Sequence, residues 1–369
     1  MKVIIAAGGT AGHINPGLAI AQKIKSENPR RQIAFVGRKE GMEYNLVTKA
    51  GYEFIHMEVT GFQRKPTVKN LFRNIRAVKN LAFAIPTANR ILNKTKPDLV
   101  IGCGGYVSGP IVRQAAKKGI KTAVHEQNAY PGVTNKILSK TVDKVFIATE
   151  KAAKYMAFPD KCIVCGNPVR KEITEANPAE SRKKLGIPND KTVVLSFGGS
   201  LGAQAVNNRM KALVKHNKDR KDIVHYHVVG KYDDKDFENF LSANDIPQGE
   251  NLKVFEYLYN IRDYMARADL LITRCGALTI AETACMGKAS ILIPSPNVSE
   301  NHQFYNGKVL TDIGAAVMIE EKDLNEKTII ETFDSLCADK GKLKEMAQKA
   351  KLAYNGDCLD IIYKNLDLS

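Results

Sequence analysis

A glycine-rich turn that follows a short apolar strand occurs twice in the chain, and both copies could hold a polar ligand. Val3 to Ala7 leads into Gly8 to His13, and Val193 to Phe197 leads into Gly198 to Gln204. A turn of this kind directs backbone N–H groups and the start of a helix towards one anion. Two copies predict two nucleotide-type domains that face each other across a cleft.

His13 closes the first copy, near the predicted start of a helix. Since the positive end of a helix disfavours a protonated imidazole, a neutral His13 could accept a proton from a sugar hydroxyl. A histidine that only bonds neighbouring backbone explains this residue equally well. The fingerprint G-x-G-x-x-G is absent, and Arg38 stands where a dinucleotide site would have an acidic residue. A dehydrogenase is therefore disfavoured.

Two further polar segments follow strands of the first half, Gly102 to Pro110 and His125 to Asn128. Ligands collect at the carboxyl ends of parallel strands, so both segments are predicted to line the site. The structural alternative for the first segment is a tight turn with close helix packing. For Glu126, buried hydrogen bonding is as good an interpretation as ligand contact.

The second half offers an arginine and a carboxylate in similar positions. Arg170 lies near the domain junction and could bind a phosphate or form a structural ion pair. Arg274 to Glu282 runs from a strand into a helix, so its N–H groups could meet a diphosphate. Glu282 could then accept both ribose hydroxyls, with a solvated helix face as the alternative.

Two patterns typical of metal sites favour other roles. Asp234-Lys235-Asp236 precedes a helical stretch, which favours helix capping. Cys162 and Cys165 form C-x-x-C without a second pair, on a predicted strand where positions three apart face opposite sides. We expect no metal site, no disulfide framework and no cofactor.

Thirteen short strand-like segments alternate with amphipathic ones such as Pro16 to Ser26 and Val107 to Lys118. This alternation predicts an α/β fold with two Rossmann-like, doubly wound parallel-sheet domains. The predicted strands are 2–7, 32–36, 53–57, 98–102, 121–125, 144–148, 162–165, 192–197, 223–229, 252–255, 269–273, 289–293 and 315–319.

The length of 369 residues favours two domains. The polar, proline-containing stretch 167–190 is the predicted boundary region. We assign 1–166 to an acceptor and membrane-binding domain and 167–340 to a donor-binding domain. The helix-like tail 341–369 is expected to return towards the first domain.

The net charge of +16 comes from the first half of the chain. Residues 1–170 carry 28 basic and 10 acidic side chains, whereas 171–369 carry 27 and 29. Nine of the basic residues lie in the acid-free segment 59–97, interleaved with apolar ones. This pattern favours contact with an anionic bilayer, and a helix that packs its apolar stripe inside the domain is the alternative. The residues predicted to face the membrane are Lys69, Phe72, Arg73, Ile75, Arg76 and Lys79.

Two absences bear on location and partners. The sequence has neither a run of about 18 apolar residues nor a signal-peptide pattern, so we expect a cytoplasmic protein without a membrane span. It also contains no recognisable nucleic-acid-binding motif, and no nucleic-acid partner is expected.

Taken together, the motifs resemble the MurG-type peptidoglycan glycosyltransferases, the undecaprenyldiphospho-muramoylpentapeptide β-N-acetylglucosaminyltransferases. The resemblance covers nearly the whole chain in order, through the segments 8–13, 104–110, 125–128, 166–170, 198–203, 274–282 and 302–303. It implies the GT-B fold, with two Rossmann-like domains. It also implies transfer of N-acetylglucosamine from UDP-GlcNAc to the muramoyl 4-hydroxyl of lipid I, giving lipid II at the cytoplasmic face of the bacterial membrane.

The resemblance assigns the donor UDP-GlcNAc to the C-terminal domain. Ser200 and Arg170 would contact the diphosphate, the backbone of Leu258 would read uracil, and Glu282 would hold the ribose. The other donor-side residues are Ala277, Leu278, Thr279, Ile280 and Ala281 by the nucleotide, and His302 and Gln303 by the sugar hydroxyls. Ala11, Cys275 and His302 replace the glycine, serine and glutamine of the familiar pattern.

The resemblance assigns the acceptor to the N-terminal domain. Thr10, Ala11, Gly12 and Asn128 would approach the transferred sugar, and His13 would be the general base. Gly104, Gly105, Tyr106, Ser108 and Glu126 would receive lipid I. An α-linked donor and a β-linked product imply one inverting displacement without a protein nucleophile. Helix N-termini and Arg170 would stabilise the departing UDP.

Two other functions are compatible with these motifs. A related UDP-sugar transferase that acts on diacylglycerol would share the fold and the donor site. A non-catalytic, membrane-bound sensor of UDP-sugars would need the same donor contacts but no base.

Overall fold

The computed structural model describes residues 1–59, 83–188, 190–199, 202–230 and 233–368. The chain forms two compact units, of which unit 1 comprises Met1–Pro168 and Gly356–Ser369 and unit 2 comprises Val169–Asn355. Most of the basic segment 59–97, including every residue predicted to face a membrane, lies outside the described residues.

Unit 1 is built on a seven-stranded parallel sheet with the order β3-β2-β1-β4-β5-β6-β7. Its inner strands are apolar throughout because both faces of the sheet are covered. In β1, Val3 and Ile5 pack into one core while Ile4 and Ala6 pack into the other. The strands are β1 Lys2–Ala6, β2 Gln32–Gly37, β3 Glu53–His56, β4 Leu99–Gly102, β5 Lys121–Glu126, β6 Lys144–Ile147 and β7 Cys162–Val164.

The helices of unit 1 connect these strands and cover both faces of the sheet. The described helices are α1 Ala11–Glu27, α2 Met42–Lys49, α3 over 83–95, α4 Ser108–Lys117, α5 Val133–Leu138 and α15 Cys358–Asn365. Although α15 follows the whole of unit 2 in the chain, Ile362 and Leu366 pack into the same core as Val3 and Ile5. Arg31 fixes the segment further, since its guanidinium donates to the Tyr363 hydroxyl and to the Leu368 carbonyl.

Unit 2 repeats the plan with a six-stranded parallel sheet of order β10-β9-β8-β11-β12-β13. Its strands are β8 Thr192–Phe197, β9 Ile223–Val228, β10 Leu252–Phe255, β11 Leu270–Thr273, β12 Ala289–Leu292 and β13 Ala316–Met318. Its helices are α6 Lys171–Thr174, α7 Pro178–Leu185, α8 Gln204–Asn217, α9 Asp234–Ala243, α10 Ile261–Arg267, α11 Ala277–Met286, α12 His302–Thr311, α13 Glu326–Ala338 and α14 Lys340–Leu352.

Both sheets reverse their strand order at one point, between β1 and β4 in unit 1 and between β8 and β11 in unit 2. Ligands of open parallel sheets bind outside the carboxyl ends of the strands at this reversal. The four glycine-containing segments found in the sequence follow these four strands. The topology therefore gives each unit one place where its two loops can act together.

The thirteen strands form where the sequence predicts them, each within one residue at either end. Helix α1 begins at Ala11, earlier than Pro16, because the proline is accommodated inside its second turn. The tail is two helices rather than one, and the predicted end of the second domain at residue 340 differs from the structure. Leu343 and Met346 of α14 pack into the unit 2 core, so residues 341–355 belong to unit 2.

Two smaller expectations can also be compared with the structure. Asp234 and Asp236 lie in the first turn of α9, but the N-cap is Asp233 and its side chain makes no capping bond. Asp236 pairs with Lys211 instead. Among the described residues, no helix combines the length and apolarity needed to cross a bilayer.

Candidate active site

The two glycine segments of unit 1 lie against each other at the strand reversal. Gly104 has a φ of +105°, and a Cβ there would lie 2.6 Å from His13 Nδ1. A Cβ on Gly105 would lie 2.3 Å from the Gly8 carbonyl oxygen. Only glycine fits such close approaches. The loops after β1 and β4 therefore form one surface that contains His13.

Ser108 ties these loops together. Its buried hydroxyl lies 2.8 Å from the carbonyl oxygens of both Ala6 and Gly104, and it accepts from the Gly104 N–H. This geometry favours the close-packing alternative for Ser108 rather than direct contact with an acceptor. The neighbouring Tyr106 is exposed and presents the accessible side chain of this loop.

The buried carboxylate of Glu43 packs against the inner side of the glycine turn that follows β1. Its side chain accepts from the backbone N–H of Gly9 at 3.2 Å and of Arg38 at 3.1 Å. Gly41 leaves room for it, since a Cβ there would lie 2.3 Å from Glu43 Oε2. The Gly9 N–H is thus already bonded to the Glu43 carboxylate. A ligand would have to bind the later part of the turn.

That later part, Thr10 to His13, opens helix α1. Thr10 is its N-cap residue, and Ala11 and Gly12 form its first turn ahead of His13. The side chains here are small, exposed or half-buried. The start of this helix is therefore accessible beside the imidazole.

Gln127 fixes the tautomer of His13. The Gln127 amide nitrogen lies 3.0 Å from the Cys103 carbonyl and 2.9 Å from that of His125, and both groups can only accept. The amide oxygen must then be the atom that faces His13 Nδ1 at 3.0 Å. His13 Nδ1 therefore carries the hydrogen, which leaves Nε2 of the neutral imidazole as a proton acceptor.

Glu126 is occupied by the protein itself. Oε1 accepts from the backbone and side-chain nitrogens of Asn128, and Oε2 accepts from the Gly132 N–H and the Asn135 amide. The residue is 1% exposed. This geometry favours the structural interpretation, in which Glu126 orders the loop after β5 and fixes the position of Asn128 in that loop.

In unit 2, the loop after β8 turns into helix α8 at Ala203. Gly198 and Gly202 allow the turn, since a Cβ on Gly202 would lie 2.2 Å from the Val229 carbonyl oxygen. The predicted diphosphate contact Ser200 lies outside the described residues. The described parts of the loop place the start of α8 at the strand reversal.

Glu282 of helix α11 forms an ion pair with Arg170, the N-cap residue of helix α6. Arg170 Nε donates to Glu282 Oε1 at 2.9 Å, while the guanidinium is 46% exposed and the Glu282 side chain only 14%. Burial raises the pKa of Glu282, and the charge of Arg170 offsets part of that rise. The pKa of Arg170 is raised because the two carboxylates Glu282 and Glu172 outweigh the effect of its burial. The two residues predicted to bind the donor therefore lie together as an ion pair, which is also the structural alternative for Arg170.

The remaining residues predicted on α11 differ in accessibility. Gly276 is the N-cap, and Ala277, Leu278, Thr279 and Ala281 are half-buried. Ile280 points into the core with Cys275 and Leu310, so any ligand contact would have to come from its backbone. Leu258 is also buried, which agrees with a backbone role, while its neighbours Tyr257 and Tyr259 are exposed.

His302 and Gln303 begin helix α12. The Gln303 side-chain oxygen accepts from the Ser295 N–H at 2.9 Å and so binds the loop after β12 to this helix. Asn301 and Glu300 precede it with positive φ angles of 49° and 52°. The predicted sugar-reading pair thus lies at a tightly turned helix start, at the carboxyl side of the unit 2 sheet.

The cysteines of the C-x-x-C pattern do not share one site. Cys162 Sγ contacts the Phe158 carbonyl, whereas the buried Cys165 Sγ lies 3.2 Å from the Gly166 carbonyl. His125 and Cys358 approach the same carbonyl, at 3.1 Å and 3.3 Å. In this arrangement His125 Nε2 donates to the Gly166 carbonyl, which accepts from all three groups.

Glu43 was not predicted from the sequence, and the contacts of Gln127 and Arg274 were not predicted although both lie in segments expected to line the site. Glu43 and Gln127 are ordinary polar residues in sequence, and only the folded loops show that they hold Gly9 and His13. Arg274 crosslinks the ends of β12 and β13, since it donates to the Ile293 and Pro294 carbonyls and to Glu321. Its position directly after β11 was the one available signal.

Two Rossmann-like units, one with an oriented histidine and one with a helix start beside an arginine–carboxylate pair, define a class of protein. That class is the proteins with two Rossmann-like domains, which bind nucleotides and their derivatives at the strand reversals. The N-terminal domain of glycosyltransferase family 28 matches residues 3–147, and the C-terminal domain of that family matches residues 193–359. The chain belongs to glycosyltransferase family 28.

Curated relatives agree along nearly the whole chain. An enzyme of Acetivibrio thermocellus, named UDP-N-acetylglucosamine–N-acetylmuramyl-(pentapeptide) pyrophosphoryl-undecaprenol N-acetylglucosamine transferase, is 43% identical over 95% of this chain and 93% of its own length. A protein of the same name from Clostridioides difficile is 40% identical over 99% of this chain and 88% of its own.

Solved structures share the fold. The crystal structure of Acinetobacter baumannii MurG has a TM-score of 0.77, at 28% identity over 98% of this chain and 99% of that one. A UDP-GlcNAc 2-epimerase of Neisseria meningitidis, solved with UDP-GlcNAc bound, has a TM-score of 0.66 at 14% identity over 99% of both chains. The second likeness concerns the fold alone.

Proposed function

We propose that this chain transfers N-acetylglucosamine from UDP-GlcNAc to the 4-hydroxyl of the muramoyl sugar of lipid I, with inversion, to form lipid II. The substrates named for relatives at 40–43% identity support this choice. The structural observation that carries it is the 3.0 Å contact between Gln127 Oε1 and His13 Nδ1. That contact prepares a base for a hydroxyl acceptor.

In the proposed reaction, His13 Nε2 removes the proton of the acceptor hydroxyl while that oxygen attacks the anomeric carbon of the donor sugar. The bond to UDP breaks in the same step, so the chain supplies no covalent nucleophile. Thr10, Ala11, Gly12 and Asn128 lie on the same unit as the base and border the transferred sugar. The loop of Gly104, Gly105 and Tyr106 receives the acceptor, and Ser108 and Glu126 shape its walls.

The donor is held by unit 2 in this proposal. Glu282 accepts the two ribose hydroxyls, and Arg170 meets the diphosphate through the half of its surface that is exposed. The starts of α8 and α11 add backbone N–H groups that stabilise the charge of the departing UDP. Ser200 contributes to the diphosphate site, Leu258 reads uracil through its backbone, and His302 and Gln303 contact the sugar.

A direct test uses radiolabelled UDP-GlcNAc with a soluble lipid I analogue, and the anomeric configuration of the product is read by NMR. We expect a β-linked disaccharide and release of UDP. Diacylglycerol in place of the lipid I analogue is the matched control. Transfer to diacylglycerol instead, or no transfer to either acceptor, would contradict the proposal.

The acceptor is attached to a lipid, and we propose that the chain works at the cytoplasmic face of the cell membrane. The excess of basic residues in the first half of the sequence supports this location. Each basic side chain near an anionic surface contributes about 1 kcal/mol of attraction. The membrane contact is assigned to Lys69, Phe72, Arg73, Ile75, Arg76 and Lys79.

Sedimentation with anionic liposomes tests this location. Replacing the four basic residues Lys69, Arg73, Arg76 and Lys79 by glutamine should release most of the protein from the vesicles. The control replaces four exposed lysines of unit 2, which are Lys253, Lys322, Lys327 and Lys342. Equal loss of sedimentation in both variants would reduce the effect to net charge and refute a specific membrane face.

A further inference from the structure

A cavity of about 300 Å³ lies in unit 2, at the end of the sheet opposite the loops that are proposed to bind the donor. Thr192, at the start of β8, lines it, as do Asp269 and Lys288, which directly precede β11 and β12. The donor loops follow the carboxyl ends of the same sheet. The cavity is therefore separate from the site described above.

Positive charge dominates the lining of this cavity. Six basic residues line it, and Asp269 is the one acidic residue among its lining residues. The Asp269 carboxylate is already used, because it accepts from the Val193 N–H at 2.8 Å and from Arg267 at 3.0 Å. The six basic residues are Arg182, Lys191, Arg267, Lys288, Lys340 and Lys344.

Two of these cations are built into the fold. Arg267 is 4% exposed and bonds Asp269 and the Lys191 carbonyl, yet its buried Nε has no hydrogen-bond partner among the described residues. The Lys288 ammonium is equally buried and donates to the carbonyls of Ala266 and Ala268. Burial lowers the pKa of Lys288 to about 8, which leaves it mostly charged at neutral pH.

Two other cations form no direct ion pair among the described residues. Within the described parts of the chain, the side chains of Arg182 and Lys344 form neither a hydrogen bond nor an ion pair. The pKa of Arg182 is lowered by partial burial and by the charge of nearby Arg267, and the Asp269 carboxylate offsets part of this fall. Like charges held together in this way raise the free energy of the empty cavity, and a bound anion would relieve that repulsion.

We propose that this cavity binds a diphosphate group, either free or carried by a nucleoside. The volume is at the lower end of the range for small-molecule sites, which suits a compact anion. Five net positive charges among its lining residues suit a multiply charged ligand better than a single carboxylate. Guanidinium groups such as those of Arg182 and Arg267 bind phosphate in a bidentate way, with two N–H groups that donate to two oxygens.

Calorimetric titration with inorganic diphosphate at constant ionic strength tests the proposal. Wild-type protein should bind, and Arg182→Ala and Lys344→Ala should each weaken the cavity site by roughly tenfold, the usual effect of losing one charged contact. The matched control is Lys342→Ala, which removes the same charge from helix α14 but does not line the cavity. This control should stay within about twofold of wild type.

Three results would overturn the proposal: no diphosphate binding by the wild-type protein, unchanged binding in both cavity variants, or equal weakening in Lys342→Ala. The donor KM of each variant is measured in parallel, because loss of diphosphate at the donor site would change it and loss at this cavity would not. Arg182→Gln repeats the test if the alanine variant unfolds. A parallel titration with ADP identifies whether a nucleoside can be attached to the bound group.

Discussion

At the scale of single residues, the proposed chemistry depends on a hydrogen that His13 carries on Nδ1 and not on Nε2. Gln127 imposes this choice because its amide nitrogen is fully occupied by carbonyl acceptors. The proposed donor ligands Arg170 and Glu282 lie on the other unit. The base and the donor site can therefore be tested independently.

His13→Ala should lower kcat by roughly 10²- to 10⁴-fold, the usual contribution of a general base. Affinity for UDP should stay within about twofold, because His13 belongs to unit 1 and the proposed nucleotide ligands belong to unit 2. Steady-state kinetics and calorimetry with UDP measure the two quantities. Unchanged turnover would remove His13 as the base.

Gln127→Met keeps the size of the side chain and removes the acceptor that orients His13. We expect kcat to fall roughly tenfold, with little change in the donor KM, since one hydrogen bond is lost. The pH profile of kcat should also shift, because the imidazole then samples both tautomers and a new environment. A fall in stability without a shifted pH profile would assign Gln127 a structural role only.

At the scale of elements, the glycine loops after β1 and β4 and the start of helix α1 position the proposed base His13. Gly104→Ala would place a Cβ 2.6 Å from His13 Nδ1 at a residue with positive φ. We expect a strong loss of turnover from the displaced imidazole and a fall in stability of about 1–3 kcal/mol. Gly109→Ala is the control, because the nearest atom there is Thr134 Cγ2 at 3.6 Å. Equal effects in both variants would contradict this account.

Helix α11 presents Glu282 as an ionised acceptor, and burial works against that ionised form. Because the pKa of Glu282 is raised, the carboxylate is lost at a higher pH than usual, and the donor KM should rise as the pH falls towards that range. Glu282→Gln should raise the donor KM roughly 10- to 100-fold and remove the pH effect. Glu172→Gln, which changes an exposed neighbour of Arg170, should do neither. A pH-independent KM in the wild type would contradict the assigned role.

The elements themselves could be predicted well from sequence, because buried parallel strands are continuous apolar runs bounded by polar turns. The glycine turns also marked the two strand reversals. Hydrogen-bond partners could not be predicted, since Glu43 reaches Gly9 across 34 residues and Gln127 reaches His13 across 114. For Glu126 and Ser108, residue type left ligand and structural roles open, and their internal contacts favour the structural role.

At the scale of the whole molecule, two histidines buried in the unit 2 sheet make stability depend on pH. His225 and His227 flank the Ser196 hydroxyl at 2.8 Å each. Burial lowers the pKa of His225 to about 4 and that of His227 to about 3. Below pH 6.5 these two histidines bind protons in the unfolded chain but remain neutral in the folded chain. The free energy of unfolding therefore decreases as the pH falls from neutral.

Each of these histidines should lower the free energy of unfolding by about 2 kcal/mol when the pH falls from 7 to 5. Chemical denaturation at several pH values measures this slope. His225→Gln should flatten this slope, whereas His216→Gln, which changes an exposed residue paired with Asp334, should leave the slope steep. Equal slopes in wild type and His225→Gln would contradict the assignment.

Helix α15 completes the core of unit 1 only after all of unit 2 has passed in the chain. A ribosome that has synthesised the first 168 residues has therefore made a sheet whose hydrophobic face still lacks Ile362 and Leu366. About 190 further residues must be synthesised before helix α15 can pack onto the core of unit 1. During that interval this apolar surface is exposed, and a protein cut after residue 355 would keep it exposed and should aggregate more readily than the full chain.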